Sequence, residues 1–308
     1  MKRAYVAACA VAVVVSTALT GCTPDTDDTA AAATRQREAP RSLTHAQEVR
    51  LKDAEQLLVK RCMTRQGFTY HEHRPMTLEE LRPVGYVQDD IAWAREHGYG
   101  SRIADKGNRA RRDNPNIAHR ASLSDKEGRA YDTALNGGAS GPTVSAEVPG
   151  SGRISKRVGG CVGEAEQQLY GDLETWFGAD KTASGVRALA EAEVMDDPRF
   201  TAAVERWARC MKRSGHPYTD PGLAREAVQR RSGRLPDAEA FEVERTTAVA
   251  DATCARQVSL RSVAEERQAH HLAGLLDEHG EYGDALDTIA RIQRDALDRA
   301  ERIVGPRT

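Results

Sequence analysis

Apolar residues recur at helical spacing along most of the chain and at alternate positions in one place only. Ala54, Leu57, Leu58 and Cys62 share one face of a segment from Thr44 to Gln66. Thr44 and Gln47 form a capping box at its start, and Gly67 is its terminating glycine. Phe200, Val204, Trp207 and Met211 mark a second strong helix from Pro198 to Ser214, closed by Gly215. Pro221 and Pro236 start two more, the second expected to run unbroken to about His279, where Gly280 and Gly283 break the pattern. Leu286, Ile289, Ala296, Ala300 and Ile303 give a last helix over 284–304. Alternation at 144–148 and 153–158 flanks Pro149-Gly150-Ser151-Gly152, a β-hairpin signal. The pattern predicts a mainly α fold with one small β-hairpin.

Short helices are expected over 77–81, 89–97 and 124–135, the last with Ser124 and Glu127 as a capping box. Residues 102–116 are basic and polar and read as irregular. A further helix is expected from Gly160 to about Thr175, carrying Cys161.

Two helix ends repeat one another. Cys62-Met63-Thr64-Arg65-Gln66-Gly67-Phe68-Thr69-Tyr70 and Cys210-Met211-Lys212-Arg213-Ser214-Gly215-His216-Pro217-Tyr218 share C-M-x-R-x-G-x-x-Y. Five identities at fixed spacing indicate an internal duplication. Cys and Met end a buried face, Gly turns left-handed, and Tyr folds back over the last turn. Each unit is followed by one more cysteine, Cys161 and Cys254. The duplication favours Cys62–Cys161 and Cys210–Cys254, although four cysteines allow three pairings. Their spacing matches no zinc motif.

The N-terminus changes the picture. Lys2 and Arg3 precede an apolar run from Ala4 to Leu19, and Leu19-Thr20-Gly21-Cys22 follows. The run has 16 residues, short of the roughly 20 that span a bilayer. Leu-Thr-Gly-Cys resembles the lipobox of bacterial lipoproteins. That resemblance implies cleavage before Cys22, a lipid on its thiol, and an extracytoplasmic protein held on the cell membrane. Export in turn favours disulfides over free thiols. Residues 22–42, with Pro24, Asp25, Asp27, Asp28 and Pro40, read as a disordered tether. The expected organisation is a signal peptide over 1–21, the tether over 22–42, a first helical unit with a long insertion over 43–177, and a second helical unit over 178–308.

Composition adds little chemistry. A net charge of −2 gives no case for nucleic-acid binding. Arginine outnumbers lysine 36 to 8, a bias of high-GC genomes. Aromatic residues are 5% of the chain, so the core must rely on aliphatic side chains and alanine.

The duplicated helix ends, Asp251-Ala252-Thr253-Cys254, Ile91–Gly100, Tyr131–Gly137, and Gly160-Cys161 with Leu169-Tyr170-Gly171-Asp172 resemble uncharacterised secreted proteins and lipoproteins of actinobacteria. The resemblance covers most of 43–276. It implies export and a disulfide-stapled helical ectodomain, and it brings no activity or catalytic residue.

Candidate chemistry is sparse. His71 and His73 share a face only in a strand and have no third ligand nearby; His270 and His271 point about 100° apart on a helix. No metal or cofactor is expected. Residues 277–284 lack the alternating ligands of a calcium loop and read as an inter-helix turn. There is no nucleophile elbow and no phosphate-cradling loop. Two α/β lobes of a solute-binding protein are not visible. Trp93, Arg95, Tyr99 and Arg102 are the candidate binding surface, because aromatic and Arg residues dominate interface hot spots; burial of Trp93 in the core is the competing reading. The expected function is a non-enzymatic envelope-binding lipoprotein with an envelope protein or cell wall as partner. The alternative is an envelope enzyme such as a cell-wall hydrolase.

Replacing Cys22 by Ala should release the protein from membranes or leave an unprocessed precursor. Membrane fractionation and intact mass read the result; unchanged values in the variant would remove the lipid anchor from consideration.

Overall fold

The computed structural model describes residues 42–305. The expected signal segment, Cys22 and the expected tether up to residue 41 lie outside the described residues. The fold is mainly helical, with a single two-stranded antiparallel hairpin among the described residues. None of the described helices is long and apolar enough to cross a membrane.

Helix α1 (His45–Arg65) begins at the expected capping box, Thr44 with Gln47. Helix α8 (Pro198–Arg213) begins at Asp197, whose carboxylate accepts the N–H groups of Arg199 and Phe200. Their C-termini are built alike. The N–H of Phe68 reaches back to the Met63 carbonyl, and the N–H of His216 to that of Met211, both at 2.9 Å. Gly67 and Gly215 sit at φ +82° and +83°, the left-handed turn of a Schellman stop. The duplication read from sequence is thus a duplicated helix-end geometry.

Each end is stapled. Cys62 bonds Cys161 in the first turn of α6 (Gly160–Tyr170), and Cys210 bonds Cys254 in α10 (Asp237–Gln257). The Cα atoms are 5.4 and 5.6 Å apart. Two core clusters surround the two bridges: one of Leu51, Leu58, Met63, Tyr131 and Leu169, the other of Phe200, Trp207, Met211 and Leu260.

The insertion is more helical than its composition suggests. Helices α2 (Ile91–His97) and α5 (Asp125–Asn136) appear where expected, α5 with its Ser124–Glu127 box. Residues 102–116, expected to be irregular, instead belong to α3 (Ser101–Arg112) and α4 (Pro115–Ser122). Neither helix has a buried residue, so no apolar stripe marked them in the sequence. Good helix formers and three arginines in the last turn of α3, which suit the helix dipole, support it instead. The helix expected over 77–81 is only a hydrogen-bonded turn, ended before Pro83. The hairpin pairs β1 (Thr143–Val148) with β2 (Gly152–Arg157), Val144 opposite Lys156 and Ala146 opposite Ile154.

Three further expectations are corrected. The helix from Gly160 stops at Tyr170, and Asp172 caps a new one, α7 (Leu173–Asp196), so the expected boundary between 177 and 178 falls within a helix. After α9 (Pro221–Ser232), the long helix from Pro236 divides at Ser259 into α10 and α11 (Leu260–Glu278). Ser259 has φ +53°, a conformation costing about 1–2 kcal/mol, and the turn delivers fully buried Leu260 to the second core, a gain of about 2 kcal/mol. Last, α12 (Gly280–Val304) starts at Gly280 and includes Gly283.

Helix α7 runs through the middle, packing against α12, α11, α6, α8 and the hairpin. Helix α12 returns to lie along α1.

Replacing Cys210 and Cys254 together by Ser should lower unfolding stability by about 4 kcal/mol, from the loop the bond closes. Gly215→Ala should cost about 1–2 kcal/mol through its left-handed backbone alone, since no atom lies near its missing Cβ. Urea unfolding checks both. No loss in the cysteine double variant would show that the bridge is not a structural staple.

Candidate functional site

The residues expected to form a binding surface divide between core and surface. Trp93 is 4% exposed in the core. The Tyr99 hydroxyl donates to Asp251 at 3.0 Å, and the Tyr99 N–H donates to buried Glu244 at 2.8 Å. Arg102 lies over the Phe241 ring at 3.6 Å, and both Arg95 and Arg102 are exposed. Tyr99 holds the insertion against α10, and Trp93 packs beside His97 and Arg82. Their spacing looked like a hot spot because aromatic anchors and core residues share one composition.

The histidines also do structural work. His73 hydrogen-bonds the Ala110 carbonyl through Nε2 at 3.0 Å, and His271 reaches Asp197 at 3.0 Å. Burial alone would raise the Asp197 carboxyl, but Arg267, the Arg199 N–H and His271 outweigh it and hold the group well below the usual carboxylate range. Among the described residues, no group of three or more His, Cys, Asp or Glu is placed to hold a metal ion.

A cleft of about 780 Å³ opens elsewhere, between the first half of α1, the segment 73–81, strand β2 and the corner joining α6 to α7. Each wall has a local cause. Asn116 and Gln56 hold the backbone of residues 71 and 73, and Arg74 pairs with Asp53 at 2.8 Å, so segment 73–81 lies over α1. His45, in the first turn of α1, meets the Leu78 carbonyl at 3.1 Å. At the corner, α6 ends on Gly171 and Asp172 caps α7 by accepting the Thr175 N–H at 2.8 Å. That tight reversal stacks Tyr170 on Trp176, with centroids 4.3 Å apart and planes 3° from parallel. Phe177 adds a third ring to the wall.

Polar groups sit at the base. Strand alternation puts Lys156 on the inward face with Val144 and Ile154, where its ammonium donates to Glu166 Oε1. The Glu166 side chain is 7% exposed, and its Oε2 has no hydrogen-bond partner among the described residues. Lys156 also lies 5.4 Å from the Trp176 ring centroid. At the rim, Lys181 pairs with Asp180 at 2.8 Å, and His45 stands 3.7 Å from Glu48. Burial, then Glu55, Glu166 and Asp180, raise the Tyr170 phenol far above its ordinary range, so it stays neutral.

The arrangement sets paired charges beside an aromatic wall. Here Glu166, Asp180 and Glu48 each face a cationic partner or histidine. Among the described residues, the carboxyl pushed up into the acid–base range is Asp251, and it is 0% exposed, enclosed between α8 and α10. No protein-family model, no curated protein and no solved structure matches the chain.

Sequence reading missed Lys156, Glu166, Tyr170 and Trp176. Two signals were available. Lys156 occupies an inward position of the Ile154-x-Lys156-x-Val158 alternation. Glu166 and Tyr170 lie four apart on α6, next to the buried stripe of Cys161, Ala165 and Leu169.

Asp251 generates a pH test. Burial pushes its carboxyl up to about 6 from 3.8, against the opposing pull of Arg225, Tyr99 and Trp207. The folded state then binds this proton more tightly than the unfolded state does. The resulting penalty is absent below about pH 4, grows as pH rises through about 6, and is constant above, reaching about 3 kcal/mol. Asp251→Asn keeps an acceptor for the Trp207 indole N–H and lacks the ionisation. Between pH 4 and pH 7, wild type should lose up to about 3 kcal/mol more stability than the variant in urea titrations. Parallel pH profiles would show that Asp251 ionises as freely in the fold as out of it.

Proposed function

We propose that this protein is a lipid-anchored binding protein of the cell envelope, whose ligand enters the cleft between α1 and the α6–α7 corner. The observation that carries the reading is the cleft itself: an apolar, aromatic-walled recess with a few convergent polar groups, the usual form of a ligand site. Its volume lies within the range of about 300–1,000 Å³ common for such sites. The anchor rests on Leu19-Thr20-Gly21-Cys22 and on the absence of a longer apolar run. The cleft wall begins at Leu43 and His45, directly after the expected tether in the sequence.

The competing reading, a cell-wall hydrolase, needs two carboxyl groups with one held protonated across a scissile bond. The ion pairing of Glu166, Asp180 and Glu48 favours binding over that chemistry.

Val49 lines the cleft on α1 and lies outside the buried core clusters, so Val49→Trp should fill the recess and leave the fold intact. Co-sedimentation with cell walls purified from an actinobacterium should be strong for wild type and at least about tenfold weaker for Val49→Trp at an unchanged melting temperature. Equal sedimentation would take the ligand site away from the cleft. Soluble wall fragments released by wild type and not by Glu166→Gln would turn the reading to the hydrolase.

A further inference from the structure

We infer that the cleft recognises a neutral oligosaccharide, with the Lys156–Glu166 pair gripping a hydroxyl or acetamido group and the Tyr170–Trp176–Phe177 wall taking the apolar face of a sugar ring. This rests on the cleft being the ligand site.

The polar base selects the ligand's chemistry. Glu166 uses Oε1 on Lys156, and its Oε2 is buried with no hydrogen-bond partner among the described residues. A buried carboxylate oxygen without a donor is costly, by about 1–3 kcal/mol or more. It calls for an N–H or O–H. Lys156 has three donors and spends one on Glu166. A buried acceptor lacking a donor therefore stands beside a lysine with donors to spare. The complementary group both donates and accepts from one atom or adjacent atoms, as a hydroxyl or a secondary amide does.

Charge selects further. Lys156 and Glu166 neutralise each other, as do Lys181 and Asp180 at the rim. An anionic ligand would compete with Glu166 for Lys156, and a cationic one would compete with Lys156 for Glu166. A neutral ligand leaves the pair intact.

Shape supplies the last restriction. The stacked rings of Tyr170 and Trp176 present a flat apolar wall, faced across the cleft by Leu43, Val49 and Met76. A ligand with flat C–H faces and polar groups on its rim fits between such walls, and a pyranose ring has that distribution.

The test uses the full chain purified in detergent, with chitotetraose as probe and a neutral blocked tetrapeptide of Ala and Gln as the competing class. The chain has three tryptophans, and Trp93 and Trp207 are buried away from the cleft, so Trp176 reports on it. Chitotetraose should change tryptophan fluorescence, and Trp176→Phe should remove that change. Calorimetric affinity should fall about 10- to 100-fold in Glu166→Gln, the loss expected for a hydrogen bond to a charged group. Should Glu166→Gln unfold, Val49→Trp must abolish saccharide binding in its place. Absence of saccharide binding at millimolar concentration overturns the inference, as does binding unaffected by both variants. Tetrapeptide binding in the cleft without saccharide binding overturns it too. If Val49→Trp still abolishes sedimentation with cell walls in those cases, the cleft remains the ligand site and only the ligand class is wrong.

Discussion

Each disulfide ties the last turn of one helix to a second helix, at the point where the first chain must reverse. Cys62 and Cys210 are followed by the same left-handed glycine stop, so direction is set by the backbone and distance by the sulfur bridge. A chain with 5% aromatic residues needs such devices. Alanine contributes much of the buried surface here, and each alanine buries little area, so packing alone holds helix ends weakly. A bridge that closes a long loop adds about 4–5 kcal/mol from the unfolded side of the balance, independently of how many large side chains the core contains.

The two copies then cross-brace rather than stand apart. The insertion between Cys62 and Cys161 sends α2 against α10 of the second unit, where Glu244 accepts the N–H groups of Tyr99 and Ser101. Arg261 grips Asp89 and the Val87 carbonyl from the other side. In return, α12 crosses to the first core, placing Ile292, Ala296 and Ala300 beside Leu58 and Cys62. Asp251 marks how the second copy specialised. Three residues before Cys254, it meets Trp207, three before Cys210, so a hydrogen-bonded rung lies one turn from the sulfur rung. The first copy has Val59 and Val158 at those positions, both buried, in separate apolar clusters.

What was legible in the sequence follows from which signals are local. Capping boxes at Thr44 and Ser124, proline starts at Pro198 and Pro221, and glycine stops at Gly67 and Gly215 act within a turn of themselves, and all of them appear in the fold. The cysteine pairing was legible through the duplication. Helices α3 and α4 were not, because a helix without a buried face leaves no periodic trace. The break at Ser259 was not, because it has no Gly or Pro and is set by where Leu260 must pack. The cleft was least legible. Its rings come from one corner, its lysine from a strand, and its opposite wall from residues about a hundred positions earlier, so only the assembled fold brings them together.

The first disulfide bears directly on that cleft. Helix α6 supplies Glu166 and Tyr170 to one side, and α1 supplies His45, Val49 and Lys52 to the other. Cys62–Cys161 joins these two helices covalently, and Gln66 donates to Cys161 Sγ at 3.5 Å beside the bond. The walls are thus set at one separation before any ligand arrives. A recess whose walls must first be ordered loses affinity to that ordering; one already fixed does not. The same rigidity explains how Glu166 can keep an open oxygen. A mobile side chain would turn toward water or a second donor, whereas this one is held by Lys156 and by packing on α6. The fold therefore holds a buried acceptor without a donor among the described residues beside an apolar cleft, an arrangement that costs stability.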